Sequence, residues 1–465
     1  MQNKIPRILL SAPASGSGKT VAACALMSAF KLAGRKIGAC KCGPDYIDPM
    51  FHKKVLGIDS LNLDLFFSKE EQLRDSFVRH MKGLDLAIAE GVMGFYDGMQ
   101  LDTEQSSSYD VACKLQMPVI LVVPAHGTAL SLAAVIQGMA QFRENSRIKG
   151  VLLNKVSSGL YKRMKAMLEK EFQKANLDIS VVGYLPNDDS FHFESRHLGL
   201  TTPEELIGIK EQLERAGQIA AQTVDLEQII KIANEAKELE TDCLQRREEK
   251  EKEVRIAIAK DEAFCFYYKE NLTVLEQEGC QLVPFSPLHD KKLPDNVGGI
   301  LLGGGYPELY LPALSQNRML QRQIAKFIQE GMPCIAECGG FMYLEEAIKG
   351  QDGEEYPFVG VISGKSYPTG KLVRFGYVEI SLNEEMDSIY LKKGESIKGH
   401  EFHYWDSEMN GESCIAVKPD GKRRWECIHA KGTLFAGYPH LYYPSCPEFA
   451  KRFVQQCKIF AERKK

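Results

Sequence analysis

The chain has 465 residues, with 58 Lys and Arg set against 62 Asp and Glu for a formal charge of −4. That balance excludes the strongly basic footprint of a nucleic-acid binder, so no nucleic-acid partner is expected. The composition, 44% apolar and 26% charged, is that of a globular protein.

No apolar run approaches the ~20 residues that cross a bilayer, and no leader-like segment precedes the first charges, so the chain reads as cytoplasmic with no membrane partner. It is longer than the ~250–300 residues at which a single core stops growing, so two or three domains are expected. Its 13 cysteines are scattered without a C-x-x-C pair, which reads as reduced, mostly buried thiols.

From Arg7 to Leu185 the apolar runs "PRILLSAP", "LDLAIAEG", "MPVILVVPA" and "IKGVLLNK" alternate with helix-like segments, among them Val21–Lys31 and Leu130–Arg143. Continuous Ile, Leu and Val suit parallel strands covered on both faces. The expected fold is α/β, with a mostly parallel sheet and chemistry at strand ends. Near Thr241 the mixed-charge run "LQRREEKEKE" reads as a solvated linker. A second α/β module then starts at Val254. The expected division is 1–240, a linker over 241–253, and 254–465.

Within "SAPASGSGKT", Gly16 and Gly18 allow a tight turn just before a helix, whose first N–H groups point at phosphate oxygens. Lys19 supplies a charge for the β/γ-phosphates and Thr20 a hydroxyl for Mg²⁺. Pro13 departs from the strict phosphate-loop spacing. The nucleotide-binding set is Ser15, Gly16, Ser17, Gly18, Lys19 and Thr20, joined by Asn154 in "GVLLNKV" as a base-contacting candidate. In "KCGPDYIDPMFH", Asp45 and Asp48 are loop carboxylates suited to substrate or magnesium, with Lys41 facing a carboxylate or a phosphate. Turn capping is the structural reading of the same pair. Glu90 ends the strand-like run of "AIAEGVMGFYDG", a position suited to ordering magnesium beside a phosphate loop. The ionisable cluster His192, Glu194, Arg196 and His197 offers a second-substrate surface.

The second module carries "MPCIAECGGFMYL". Cys338 stands at a strand-to-helix elbow before Gly339 and Gly340, where a helix N-terminus favours thiolate, whereas Cys334 reads as core. A thiol nucleophile needs a base. His440 in "FAGYPHLYY" is favoured, and His400 and His403 in "GHEFHYW" compete with it. The glycines Gly303, Gly304 and Gly305 of "GILLGGGYPELY" suit an oxyanion loop that binds the glutamine substrate.

Taken in order, "APASGSGKT", "KCGPDYIDPMFH", "EGVMGFYDG", "GGGYPELY", "ECGGFMYL" and "GYPHLYY" resemble the cobyrinate/hydrogenobyrinate a,c-diamide synthase family, over the whole chain. Such proteins join a dethiobiotin synthetase-like ligase to a class I glutamine amidotransferase. The resemblance implies ATP and L-glutamine as co-substrates, Mg²⁺ as cofactor and a tetrapyrrole polycarboxylate as acceptor. It assigns Asp45, Asp48 and Glu90 to magnesium or substrate, and Cys338 with His440 to glutamine hydrolysis. Tyr442 stands where the broader amidotransferase pattern often has an acid, so a Cys–His dyad is implied.

ATP would turn a carboxylate into an acyl phosphate, and ammonia released from glutamine would attack it. Two half-reactions on one chain imply a protected path for that ammonia. The implied acceptor is cobyrinic acid, with hydrogenobyrinic acid and nickel-sirohydrochlorin as alternatives within the family. A different class of reading is a nucleotide-regulated binding protein with an inactive amidotransferase-like module; the Cys338 and His440 motifs weigh against it.

Overall fold

A computed structural model describes residues 2–192, 203–241 and 251–464. The chain forms two compact units, Met1–Gln245 and Arg246–Lys465. Most of the expected linker, residues 242–250, lies outside the described residues, as do Glu194, Arg196 and His197.

The first unit is built on seven parallel strands: β1 (Arg7–Ser11), β2 (Ile37–Cys42), β3 (Ser60–Leu63), β4 (Leu86–Glu90), β5 (Val119–Pro124), β6 (Ile148–Asn154) and β7 (Ser180–Leu185). Their spatial order is β3-β2-β4-β1-β5-β6-β7, with every pairing parallel. Successive residues feed opposite faces. Leu9, Ala89 and Leu121 enter one core, while Ile8, Leu10, Ile88 and Ile120 enter the other. Both faces are therefore covered, as the continuous aliphatic runs require. Helix α1 (Lys19–Leu32) lies in the second core, with every residue from Ala22 to Phe30 buried.

Strand β2, "IGACKC", carries no sequence signature of a strand, because only Ile37 is β-branched. Its place between β4 and β3 makes it one. Central β1 has β4 on one side and β5 on the other, so connections leave it in both directions. Loops after the carboxyl ends of strands gather at such a switch point.

The second unit has a six-stranded sheet of β8 (Val254–Ala259), β9 (Cys280–Phe285), β10 (Val297–Leu302), β11 (Cys334–Glu337), β12 (His429–Lys431) and β13 (Leu434–Gly437). The order is β9-β8-β10-β11-β13-β12, parallel except for the β12–β13 pair. A five-stranded antiparallel sheet accompanies it, and its strand Arg374–Leu382 pairs with Ser396–His403, which pairs in turn with His440–Tyr442. Buried Asn271 fastens this last strand: its Nδ2 donates to the Leu441 carbonyl at 2.7 Å and its Oδ1 accepts the Tyr443 N–H at 2.8 Å. Among the described residues no helix is long and apolar enough to cross a membrane.

Replacing Asn271 with Leu removes both bonds and leaves two buried backbone groups unpaired, a loss of ~1–3 kcal/mol for each such group. Thermal denaturation of the Asn271→Leu variant should show a clearly lowered midpoint; an unchanged midpoint would contradict this role.

Candidate active sites

In the first unit the loop after β1 turns through Gly16 and Gly18, both in the left-handed region at φ 77° and 89°. A Cβ on Gly18 would also collide with Asn154 Nδ2. The Asn154 amide donates to the Ser17 carbonyl at 3.0 Å, so its side chain braces the phosphate loop at the end of β6. Ser17 Oγ donates to the Ala14 carbonyl at 2.8 Å, while Ser15 and Gly16 are exposed at the loop tip. Lys19 Nζ donates to the Met93 carbonyl at 2.5 Å and the Ala14 carbonyl at 3.2 Å. Met93 belongs to the "EGVMGFYDG" loop, which is thereby drawn over the phosphate loop.

A buried charge cluster lies below. Register pairs Lys41 of β2 with Glu90 of β4, Cα to Cα. Lys41 Nζ reaches Glu90 Oε1 at 2.7 Å and Asp48 Oδ2 at 2.6 Å, and the Thr20 hydroxyl donates to the same Glu90 oxygen at 2.5 Å. Burial works against the Lys41 ammonium, but Glu90, Asp48 and Asp45 outweigh it and hold its pKa well above the ordinary range. Burial pushes Glu90 up to about 7 despite Lys41. The Lys19 ammonium also feels Lys41 and Glu90, so it belongs to the same field. His52, wholly buried, presents Nε2 4.0 Å from Glu90 Oε2, and burial pushes it down to about 4.

Asp45 takes the turn-capping alternative: its Oδ1 accepts the Ile47 N–H at 2.8 Å and the Asp48 N–H at 3.1 Å. His192 is exposed near Asp189.

These residues fit a divalent cation. Glu90 Oε2 is buried without a hydrogen-bond partner, excess carboxylate surrounds Lys41, and the donors are the oxygens of Thr20, Glu90 and Asp48. Among the described residues no group of three His, Cys, Asp or Glu is arranged to hold a metal. Magnesium beside a nucleotide uses one or two carboxylates, with phosphates and water completing the shell.

In the second unit, β11 is followed at once by Cys338, which adopts φ 50° and ψ −110°, strained for a residue with a Cβ. Helix α2 (Gly339–Leu344) follows, and at six residues it supplies little dipole. Burial, then Glu308, pushes the Cys338 thiol well up, while the Gly339 N–H that opens the helix acts the other way and favours thiolate. The thiol needs its base. Cys338 N–H donates to the Gly437 carbonyl at 2.8 Å, placing the nucleophile beside β13 and three residues short of His440 in that neighbouring chain. On the far side a Cβ on Gly304 would collide with His440 Cε1, and one on Gly339 would stand 3.3 Å from Gly305 N. Three loops thus converge: 303–305, 337–340 and 437–440.

Gly303 leaves the oxyanion set, because its N–H donates to Tyr267 Oη at 2.8 Å. His403 is held at both nitrogens, Nδ1 by the Trp405 carbonyl at 2.6 Å and Nε2 by Glu401 Oε2 at 3.3 Å. His400 is the strand partner of His440, and burial, then the His440 charge, pushes it down to about 3. Burial likewise pushes His440 down to about 3, with His403 adding to the effect, so its imidazole is neutral. His52, Tyr267 and the Glu401 partner of His403 are the parts that motif reading misses, whereas Lys41 facing a carboxylate is read from the motif. A signal for His52 was present, since it is the histidine that closes "KCGPDYIDPMFH".

Residues 8–200 match the family described as the CobQ/CobB/MinD/ParA nucleotide binding domain, and residues 255–446 match the CobB/CobQ-like glutamine amidotransferase domain. A cobyrinate a,c-diamide synthase of Caldanaerobacter subterraneus is 38% identical over 454 residues, 97% of this chain and 98% of that protein. Proteins of the same name from Clostridium acetobutylicum and Picrophilus torridus are 36% and 37% identical, over 96% and 98% of this chain and 99% of each relative. A phosphate-loop unit followed by an amidotransferase unit defines a glutamine-dependent ligase. The chain belongs to the cobyrinate a,c-diamide synthase family.

Glu337, which precedes the nucleophile, gives this centre a pH signature. Burial pushes its carboxyl from 4.5 up to about 8, while Tyr443 Oη donates to it at 2.9 Å. A raised folded pKa means the folded state holds the proton more tightly. Its stabilising effect is complete below 4.5 and is lost as pH rises through 8. Melting temperatures should therefore fall as pH rises across that interval, and Glu337→Gln, which keeps an acceptor for Tyr443, should flatten the decline. Parallel pH profiles for both proteins would contradict the assignment.

Proposed function

We propose that this chain converts the a and c carboxylates of cobyrinic acid to amides, consuming one ATP and one glutamine at each. The observation that carries this reading is the pairing, on one chain, of the Lys41–Glu90–Asp48 cluster beside a phosphate loop with a Cys338 elbow beside His440. Name and motif agreement with relatives over nearly the whole chain supports the substrate class.

In the first unit the N–H groups of Ser15 to Thr20 and the Lys19 ammonium would hold the nucleotide phosphates. Thr20, Asp48 and Glu90 would hold Mg²⁺, which when bound offsets the phosphate charge. Lys41 keeps both carboxylates in place and balances part of their charge. The acceptor carboxylate attacks the γ-phosphorus, forming an acyl phosphate and releasing ADP. Ammonia then attacks the acyl carbon and phosphate leaves.

In the second unit the Cys338 thiol passes its proton to neutral His440 as sulfur attacks the glutamine amide carbon. The N–H groups of the Gly304–Gly305 loop are the candidate donors to the resulting oxyanion. His440 returns the proton to the departing nitrogen, giving ammonia and a thioester, which water cleaves to glutamate. The domains are assigned as ligase over 1–240 and glutaminase over 254–465.

Incubation with Mg-ATP, glutamine and cobyrinic, hydrogenobyrinic or nickel-containing tetrapyrrole, followed by product mass, tests the substrate. Two successive conversions of acid to amide are expected with cobyrinic acid, and an unchanged tetrapyrrole with intact glutamine would refute the reading. Cys338→Ala should abolish glutamine use while leaving synthesis from free ammonia. Glu90→Gln should do the reverse, lowering ligation from either nitrogen source by about 10²-fold or more, as loss of a charge-stabilising group does, with the Cys338 chemistry retained. Equal losses in both variants with both nitrogen donors would remove the case for separate centres.

A further inference from the structure

The segment Gly437–His440 carries both halves of the glutaminase centre within four residues. The Gly437 carbonyl takes the Cys338 N–H at 2.8 Å, and His440 closes the segment. Between them stands Tyr438, 2% exposed. Its ring is clamped from three directions. His403 lies flat on it, with ring centroids 3.9 Å apart and planes 4° from parallel. Phe341, three residues beyond Cys338 on α2, meets it edge-on at 5.1 Å. Its hydroxyl is 3.1 Å from Ser366 Oγ, which donates to Glu345, and the Ser407 hydroxyl donates to that carboxyl as well.

The flat partner is itself immobilised. His403 faces an acceptor at each nitrogen, the Trp405 carbonyl and Glu401 Oε2. Glu401, wholly buried, also accepts the Trp425 indole N–H at 3.2 Å and lies 4.0 Å from Arg374. A buried network tied at every member is rigid, because releasing one bond strands a polar group away from water.

We propose that Tyr438, pressed between His403 and Phe341, is the positioning residue of the glutaminase centre and sets how Cys338 and His440 face each other. The inference rests on the glutaminase reading above. It also bears on Tyr442 in the place of an acid: the backbone segment that carries His440 is anchored two residues before it by a packed ring. A ring orients by exclusion of volume and adds no charge, so His440 stays the neutral base that its burial makes it.

Steady-state glutamine hydrolysis by the full chain, with ammonia-supported amidation as the control reaction, tests this. Tyr438→Leu should lower the glutamine-dependent kcat about 10²-fold, as small displacements of reacting groups do, with the glutamine KM changed less than about 3-fold. Ammonia-supported synthesis should match the unmodified chain. Tyr438→Phe keeps the ring and should stay within about 5-fold of the original kcat, since only one hydroxyl contact is lost. His403→Leu should lose kcat as Tyr438→Leu does, and the double variant should be no worse than the poorer single, because the two act as one unit. Normal kcat in Tyr438→Leu, a loss confined to KM, or losses that multiply in the double variant would each overturn the proposal.

Should Tyr438→Leu fail to fold, and so lose ammonia-supported synthesis too, His403→Gln against His403→Leu decides. Glutamine keeps a planar group over Tyr438 that bonds to Glu401, so greater activity in His403→Gln upholds the role and equal activity overturns it. An unmodified chain that releases no glutamate overturns the glutaminase reading and this inference together, whereas an active one with unaffected Tyr438 and His403 variants overturns this inference alone.

Discussion

Parallel strand register is the constraint on which both candidate centres depend. In the first unit it sets Lys41 and Leu10 on either side of Glu90, so the loop leaving β1 begins next to the carboxylate that its Thr20 hydroxyl reaches. In the second it sets Glu337 opposite Gly437, so the elbow that follows one strand meets the segment that follows the other. Parallel strands all finish at one edge of a sheet, and residues tens or hundreds of positions apart are collected there. A one-residue slip in β2 would turn Lys41 to the opposite face and leave Glu90 buried without its ammonium.

The two units treat buried ionisable groups in opposite ways. Around Lys41 the charges are kept and compensated, with an ammonium held well above its ordinary range by the carboxyls around it. Around Cys338 the charges are suppressed: the thiol and Glu337 are pushed up, and His400 and His440 are pushed down. Each suits its chemistry. Phosphoryl transfer is managed by fixed charge aimed at phosphate oxygens. Thiol attack with a neutral histidine starts from an uncharged pair, and charge appears only as the reaction proceeds, where oriented N–H groups can meet it.

The positional logic of the second centre follows from that contrast. A carboxylate behind His440 would add a buried charge needing its own partners. The chain instead keeps its charged network one ring away, at Glu401 and His403, and transmits position through the flat contact of His403 with Tyr438.

Much of this was legible along the chain. The runs around β1, β4, β5 and β6 announce a covered parallel sheet because aliphatic residues without alternation have no exposed face to serve. The phosphate loop and the Cys338 elbow are equally readable, since glycine beside a strand end is a local requirement of the backbone. Strand β2 was not, because "IGACKC" becomes a strand only between two others. The antiparallel sheet behind His440 was not, because its pairing joins residues 15 to 44 positions apart whose own patterns are mixed. Asn154 shows the limit at a single residue: its type and strand-end position suit a base contact, and only the packing adds that its amide also holds Ser17. By itself the sequence determined which short segments turn, which are buried on both sides and where a nucleophile and a phosphate loop stand, because these follow from neighbours within a few residues. Tertiary structure alone decided which histidine lies beside Gly304, which carboxyls share Lys41 and which thiol is raised, because burial and charge act through space between residues that the chain keeps far apart.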